Sequence, residues 1–175
     1  ATVSFTDVGQ LLSGGLWQEV YNEISGSSVS DLTNSPEFPF EPDSSGPINV
    51  SYQGSLGNSY GQRWTGWIVP SETARYRFYG ASDDGMTINL SPTEFACDAE
   101  VIFELSGWTN ERNFSQRSPS GWIDLVAGQR YFIEVLHKEG GGGDHAAIAW
   151  QKEGDPAPAT GVGEIPGANL QYRTG

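Results

Sequence analysis

Polar and apolar residues alternate in short runs along most of this chain, and few stretches carry a helical period. "LWQEVYNEI", "QRWTGWIVP", "ARYRFYGA", "MTINLSP", "AEVIFELSG" and "HAAIAWQKE" each read as a strand, because side chains two apart share one face of a pleated strand. In "ARYRFYGA", Tyr76 and Phe78 fall on one face and Arg75, Arg77 and Tyr79 on the other. "GWIDLVAGQRYFIEVLHKE" holds two strands around the hairpin-like "VAGQ". One short helix fits "SGSSVSDL", where Ser and Asp supply caps. Thr33 to Tyr60 carries four prolines and little period, which predicts a long ordered surface loop pinned by Phe38 and Phe40. The Pro- and Gly-rich tail ends in "ANLQY", an expected edge strand. The spacing predicts an all-β chain: an antiparallel, jelly-roll-like β-sandwich with at most one or two short helices and loops gathered at its ends.

Composition narrows this picture. The 175 residues suit one domain over 1–175, large enough to bury a core without metal or disulfide. A formal charge of −13, with only nine Lys and Arg, argues against nucleic acid and anionic lipid as partners. No run approaches the length of a membrane span, and "ATVSFTDVGQ" has neither a basic nor an apolar segment. Either a processed precursor or a piece of a longer protein fits that beginning. Cys97 stands alone and cannot form an intramolecular bridge, so it reads as a small buried thiol. Trp17, Trp64, Trp67, Trp122 and Trp150 lie in strand-like runs and are expected in or beside the core, whereas Trp108, in "SGWTNER", is loop-like. Asn49, Asn89 and Asn113 begin glycosylation triplets that matter only in a eukaryotic secretory route.

Two motifs carry chemistry. "SDDG", Ser82 to Gly85, places adjacent carboxylates on a strand-to-strand connection; alone it reads equally well as a hairpin turn. "HKEGGGGDHAAIAW" places four consecutive glycines between two strands, where chance on this composition gives about 0.05 such runs. A flexible linker is one reading of it. A loop of unusual backbone angles, turning carbonyl oxygens toward one point, is the other. Calcium takes roughly six to eight oxygens from carboxylates, carbonyls and water, so Asp side chains plus a glycine loop suit a hard cation better than zinc.

In combination, "GLWQEVYNEISG", "YGQRWTGWIVPSETARYRFYGASDDG", "GWTNERNFSQ", "VAGQRYFIEVLHKEGGGGDHAAIAW" and "PGANL" resemble the protective-antigen 14-kDa (PA) domain family over residues 15–170. That family occurs in bacterial adhesins, sugar-active enzymes and yeast flocculation lectins. The resemblance implies a β-sandwich module of a larger surface protein, extracellular or on the cell surface and monomeric. It implies a Ca2+ ion held between two loops, with a cis-linked Asp83–Asp84 pair as ligands. Glu139, Gly141, Gly142 and Asp144 correspond to the second loop's ligands. The implied activity is calcium-dependent binding of terminal sugars on cell-surface or matrix glycans through vicinal hydroxyls, by a lectin rather than an enzyme. Asp83, Asp84, Asp144, His145 and Trp108 are its sugar-contact candidates, with Glu139 as a further outer contact and a solvated His145 as the plain alternative. Two other readings remain: a calcium-stiffened structural spacer, and an accessory module of a glycoside-active enzyme. Catalysis by the chain itself would draw on Glu19, Glu23, Glu134 or Glu139. No Gly-x-Ser-x-Gly elbow, HExxH or phosphate loop is present.

Overall fold

The structure, a computed structural model, describes residues 9–174. Alternation resolves into twelve strands: β1 (Leu11–Ser13), β2 (Leu16–Tyr21), β3 (Ser44–Ile48), β4 (Tyr52–Gln53), β5 (Tyr60–Ile68), β6 (Ala74–Asp83), β7 (Gly85–Leu90), β8 (Glu100–Leu105), β9 (Ile123–Leu125), β10 (Tyr131–Glu139), β11 (His145–Lys152) and β12 (Leu170–Arg173). One five-residue helix, α1 (Val29–Thr33), and three single 3-10 turns complete the described chain. The large sheet runs β1-β12-β5-β10-β7-β8, with β2 pairing β5 and β3 pairing β2; the small sheet runs β4-β11-β6-β9. All described pairings are antiparallel. The expected sandwich is the fold, and no described helix is long and apolar enough to cross a membrane.

The sheets bury one core between them. Trp64, Ile68, Met86, Ile88, Phe103, Ile133 and Val135 from the large sheet meet Tyr76, Phe78, Leu125, Ala146 and Ile148 from the small one. Fully burying one such side chain stabilises by about 1.5–3 kcal/mol, so a core this continuous is expected to hold the fold without a metal. Parts of the sheets' outer faces are covered as well. Tyr79 and Ala81 of β6 pack under Phe114, while Leu136 of β10 packs with Tyr21, Ile24 and Leu32 of α1. Tyr79 is therefore buried although alternation sets it opposite Tyr76 and Phe78.

Several local expectations change. The segment from Thr33 to Tyr60 contains β3 and β4; Pro47 is tolerated because β3 is an edge strand, bonded only to β2. Phe38 packs against Tyr21, but Phe40 is 88% exposed and pins nothing. β12 lies between β1 and β5 and is not an edge. β9 and β10 do not form a hairpin, because β9 joins β6 in the small sheet and β10 joins β5 and β7 in the large one. Trp122 precedes β9, outside any strand, and is exposed under the Arg77 guanidinium, which lies 4.6 Å from its ring centre. Cys97 is exposed in a 3-10 turn and not buried.

Candidate metal and ligand site

Two connections cross from one sheet to the other at the same end of the sandwich. β6 ends in the small sheet at Asp83 and β7 starts in the large sheet at Gly85, leaving Asp84 alone to span the gap. The Asp83–Asp84 peptide is cis. β10 ends in the large sheet at Glu139 and β11 starts in the small sheet at His145, with residues 140–144 between them. His145 pairs with Asp83 and Lys138 pairs with Gly85, so the two crossings lie side by side. "SDDG" is thus not a hairpin turn, since β6 and β7 do not pair with each other.

The crossings bring carboxylates together. Side-chain oxygens of Asp83, Asp84 and Glu139 all lie within 4.8 Å of one another. The Gly140 N–H donates to Asp84 Oδ2 at 3.1 Å, tying one loop to the other. Glycine is needed at two points of the second loop. Gly142 has φ +112°, and a Cβ on Gly143 would lie 2.4 Å from Asp83 Oδ2.

Electrostatically the cluster is unbalanced. Glu139 is fully buried, and neither of its carboxylate oxygens has a hydrogen-bond partner. Burial, then the charges of Asp84, Asp144 and Asp83, push its carboxyl up to about 7. Burial and then Asp84 also raise Asp83. An ionised carboxylate left buried and unpaired costs several kcal/mol, and a cation among the three would offset that cost. The donors are all oxygen, which fits a hard cation such as calcium.

Asp144 stands beside this cluster and has a second task. Its Oδ2 accepts from the N–H groups of Leu56 and Gly57, at 2.5 and 2.9 Å, and its Oδ1 accepts from the Tyr60 hydroxyl. The Ser59 N–H donates to the Gly140 carbonyl at 3.1 Å, so residues 56–60 brace the glycine loop. Each carboxylate oxygen has two lone pairs, so these bonds leave Asp144 capacity for a ligand. His137, Glu139 and Asp144 also lie within 4.8 Å of one another, yet both His137 nitrogens are engaged, one with Gln62 and one with the Asp83 carbonyl. Burial holds His137 down to about 4, so the ring is neutral. The buried Lys138 ammonium donates to the carbonyls of Gly26 and Glu139 at 2.7 and 2.6 Å, which engages the Glu139 carbonyl elsewhere.

The residues singled out from the sequence do not all meet. Asp83, Asp84 and Glu139 converge, with Asp144 adjacent. Gly141 and Gly142 lie on the exposed part of the second loop, where the Gly142 N–H donates to Asn58 Oδ1 at 3.4 Å. His145 is not solvated: it is buried at the start of β11, its Nε2 unpartnered, and burial lowers its pKa. Trp108 is 57% exposed, and the next residue, Thr109, donates its N–H to the Ser82 carbonyl at 2.8 Å, just before Asp83. Glu19 and Glu134 instead converge on Arg63, at 3.5 and 2.7 Å. Sequence reasoning missed Tyr60, Gln62, His137 and Lys138. One signal was available: period two puts His137 and Glu139 on the same face of β10 as the core residue Val135.

Comparison with known proteins bears on this arrangement. The chain is 29% identical over 139 residues to mouse N-acetyl-beta-glucosaminyl-glycoprotein 4-beta-N-acetylgalactosaminyltransferase 1, a match covering 75% of this chain but only 13% of that protein. Among solved structures, the chain is similar to a PA14 sugar-binding domain from an RTX adhesin, with a TM-score of 0.67 and 15% identity over 92% of this chain and 99% of that one. It is also similar to the Epithelial Adhesin 9 A domain of Candida glabrata in complex with Galb1-4GlcNAc, with a TM-score of 0.64 and 13% identity over 93% and 90% of the two chains. At such identities these structures establish a common fold. The PA14 domain family model matches residues 15–161, most of the chain, and with the sandwich already described it leads to one conclusion: this chain belongs to the PA14 domain family.

Proposed function

We propose that this domain is a calcium-dependent carbohydrate-binding module that recognises terminal sugars through vicinal hydroxyls. The observation that carries the reading is Glu139, a fully buried carboxylate with no partner, gathered with Asp83 and Asp84 at the crossing of two loops. Asp83, Asp84 and Glu139 would hold the ion, with Asp144 and carbonyls of the Gly141–Gly142 stretch completing its oxygen shell. The bound ion supplies open coordination positions that two adjacent sugar hydroxyls can take in place of water.

The chain's own groups do the rest. Ionised Asp83 and Asp84 accept hydrogen bonds from the same hydroxyls, which favours a diol over a single alcohol. Glycines on the second loop keep its surface low, so a sugar end can approach without meeting side chains. Trp108, exposed on the neighbouring loop, offers an aromatic face to the apolar side of a sugar ring. Such a shallow site binds weakly alone and gains working strength when several copies are displayed.

The PA14 sugar-binding domain from an RTX adhesin and the Epithelial Adhesin 9 A domain in complex with Galb1-4GlcNAc, which share this fold, support a glycan as occupant and an extracellular or cell-surface setting. The glycosyltransferase relative supports a second placement, the same binding module inside a larger sugar-active enzyme. A glycan array with calcium and with chelator tests the proposal. Spots that light only with calcium are expected, and a blank array with calcium present overturns sugar recognition.

A further inference from the structure

A chain of buried polar side chains runs from the middle of the large sheet to the metal loop. The Trp64 Nε1–H donates to Gln62 Oε1 at 2.7 Å. Since the indole nitrogen can only donate, the Gln62 atom it meets is the oxygen, and the Gln62 atom facing His137 Nδ1 at 2.9 Å is the NH2 group. Gln18 Nε2 donates to the same oxygen at 2.6 Å, which agrees with that orientation. His137 Nδ1 must then accept, and the ring proton sits on Nε2. That Nε2–H points at the Asp83 carbonyl oxygen, 2.8 Å away. Gln62 and His137 are cross-strand partners on β5 and β10, whereas Asp83 ends β6 in the opposite sheet. Gln62, Trp64 and His137 are fully buried, so a broken link would leave a polar group unpaired away from water.

We infer that Trp64, Gln62 and His137 form a positioning relay which locks the His137 ring as its Nε2–H tautomer, so that it grips the Asp83 carbonyl and aims the Asp83 and Asp84 carboxylates at the cation. The inference rests on the calcium reading above for its consequence, but its geometry is independent of any ion. Fixing the Asp83 carbonyl holds the backbone from which both carboxylates project, and it keeps that carbonyl turned toward the core. The effect matches what outer-sphere partners do at metal sites, where removing one costs about 10–100-fold in affinity.

The test has two arms. In the calcium-free protein, nitrogen-resolved NMR of the imidazole is expected to report His137 protonated on Nε2; a proton on Nδ1 overturns the relay. Gln62→Leu, which keeps the ring but strands its Nδ1 acceptor, is expected to move the Nδ1 resonance out of the hydrogen-bonded range, and an unchanged Nδ1 resonance overturns the relay too. In the second arm, His137→Phe is expected to weaken calcium binding about 10–100-fold by calorimetry, with His137→Gln, which restores an N–H donor, recovering part of the loss. Melting in chelator separates this from general instability. A folded His137→Phe with calcium affinity within twofold of the wild type overturns the inference while the calcium site stands. Should His137→Phe not fold, Gln62→Leu carries the affinity measurement under the same criterion. Wild-type protein that binds no calcium sinks the proposed function instead, and the tautomer measurement still decides the relay.

Discussion

Glu139 and Asp84 approach within 4.8 Å through their side-chain oxygens, although they lie at different strand crossings and the Glu139 carboxylate has no hydrogen-bonding partner. Without a cation this proximity opposes folding; under the proposed function a bound ion would reverse that. Most of what can be measured about the domain follows from that reversal.

Replacing Asp83 and Asp84 together by Ala is expected to abolish calcium binding while the sandwich stays folded, because the core between the sheets does not include them. Calorimetry and circular dichroism check the two halves of this statement. An unchanged calcium isotherm would place the ion elsewhere.

Removing the Glu139 charge is expected to stabilise the calcium-free protein. Its carboxyl lies near 7 in the fold against an ordinary 4.5, so its contribution is complete below about pH 4.5 and is lost as pH rises through 7. His137 runs the other way: pushed down from 6.5 to about 4, its contribution is present above pH 6.5 and lost as pH falls through 4. A comparison of wild type with Glu139→Gln isolates the carboxyl. In chelator the two should melt alike near pH 4.5. At pH 8 the variant should melt higher, by about 2–4 °C for each kcal/mol of relieved repulsion. With calcium the order should invert. A variant that melts lower at pH 8 in chelator would refute the electrostatic account.

Asp144→Ala should lower stability even without calcium, because residues 56–60 lose the carboxylate that gathers the Leu56 and Gly57 N–H groups and the Tyr60 hydroxyl. Stranding the buried Tyr60 hydroxyl costs about 1–3 kcal/mol, whereas the exposed Leu56 and Gly57 N–H groups can turn to water. Asp144→Asn, retaining one acceptor oxygen, should recover part of the loss. If Asp144 served the ion alone, melting in chelator would not change.

Trp108→Ala is expected to leave the calcium isotherm untouched and to weaken sugar binding roughly two- to twelvefold, the loss of one aromatic face worth about 0.5–1.5 kcal/mol. Equal glycan binding by both proteins would remove Trp108 from the site.

Much of this architecture is legible one strand at a time. Alternation in "ARYRFYGA" and "HAAIAWQKE" marks β6 and β11, and the family resemblance joins "SDDG" to the glycine loop. Where local signals failed, the reason was pairing at a distance. "VAGQ" looks like a hairpin because its flanks are strand-like, but those flanks enter different sheets. Phe40 looks like an anchor because it is aromatic, but nothing in the surrounding fold covers it.

Local alternation and backbone freedom mark the longer strands, the Asp pair at the end of one and the glycine run between two others, while the short strands β1, β3 and β4 carry no such signal. That both connections cross between the sheets at one end follows from long-range pairing instead, because the sheet a strand joins is set by partners far away in the chain. That choice leaves Glu139 without a partner beside Asp83 and Asp84, and it turns His137 from an ordinary strand residue into the hand that holds the Asp83 carbonyl.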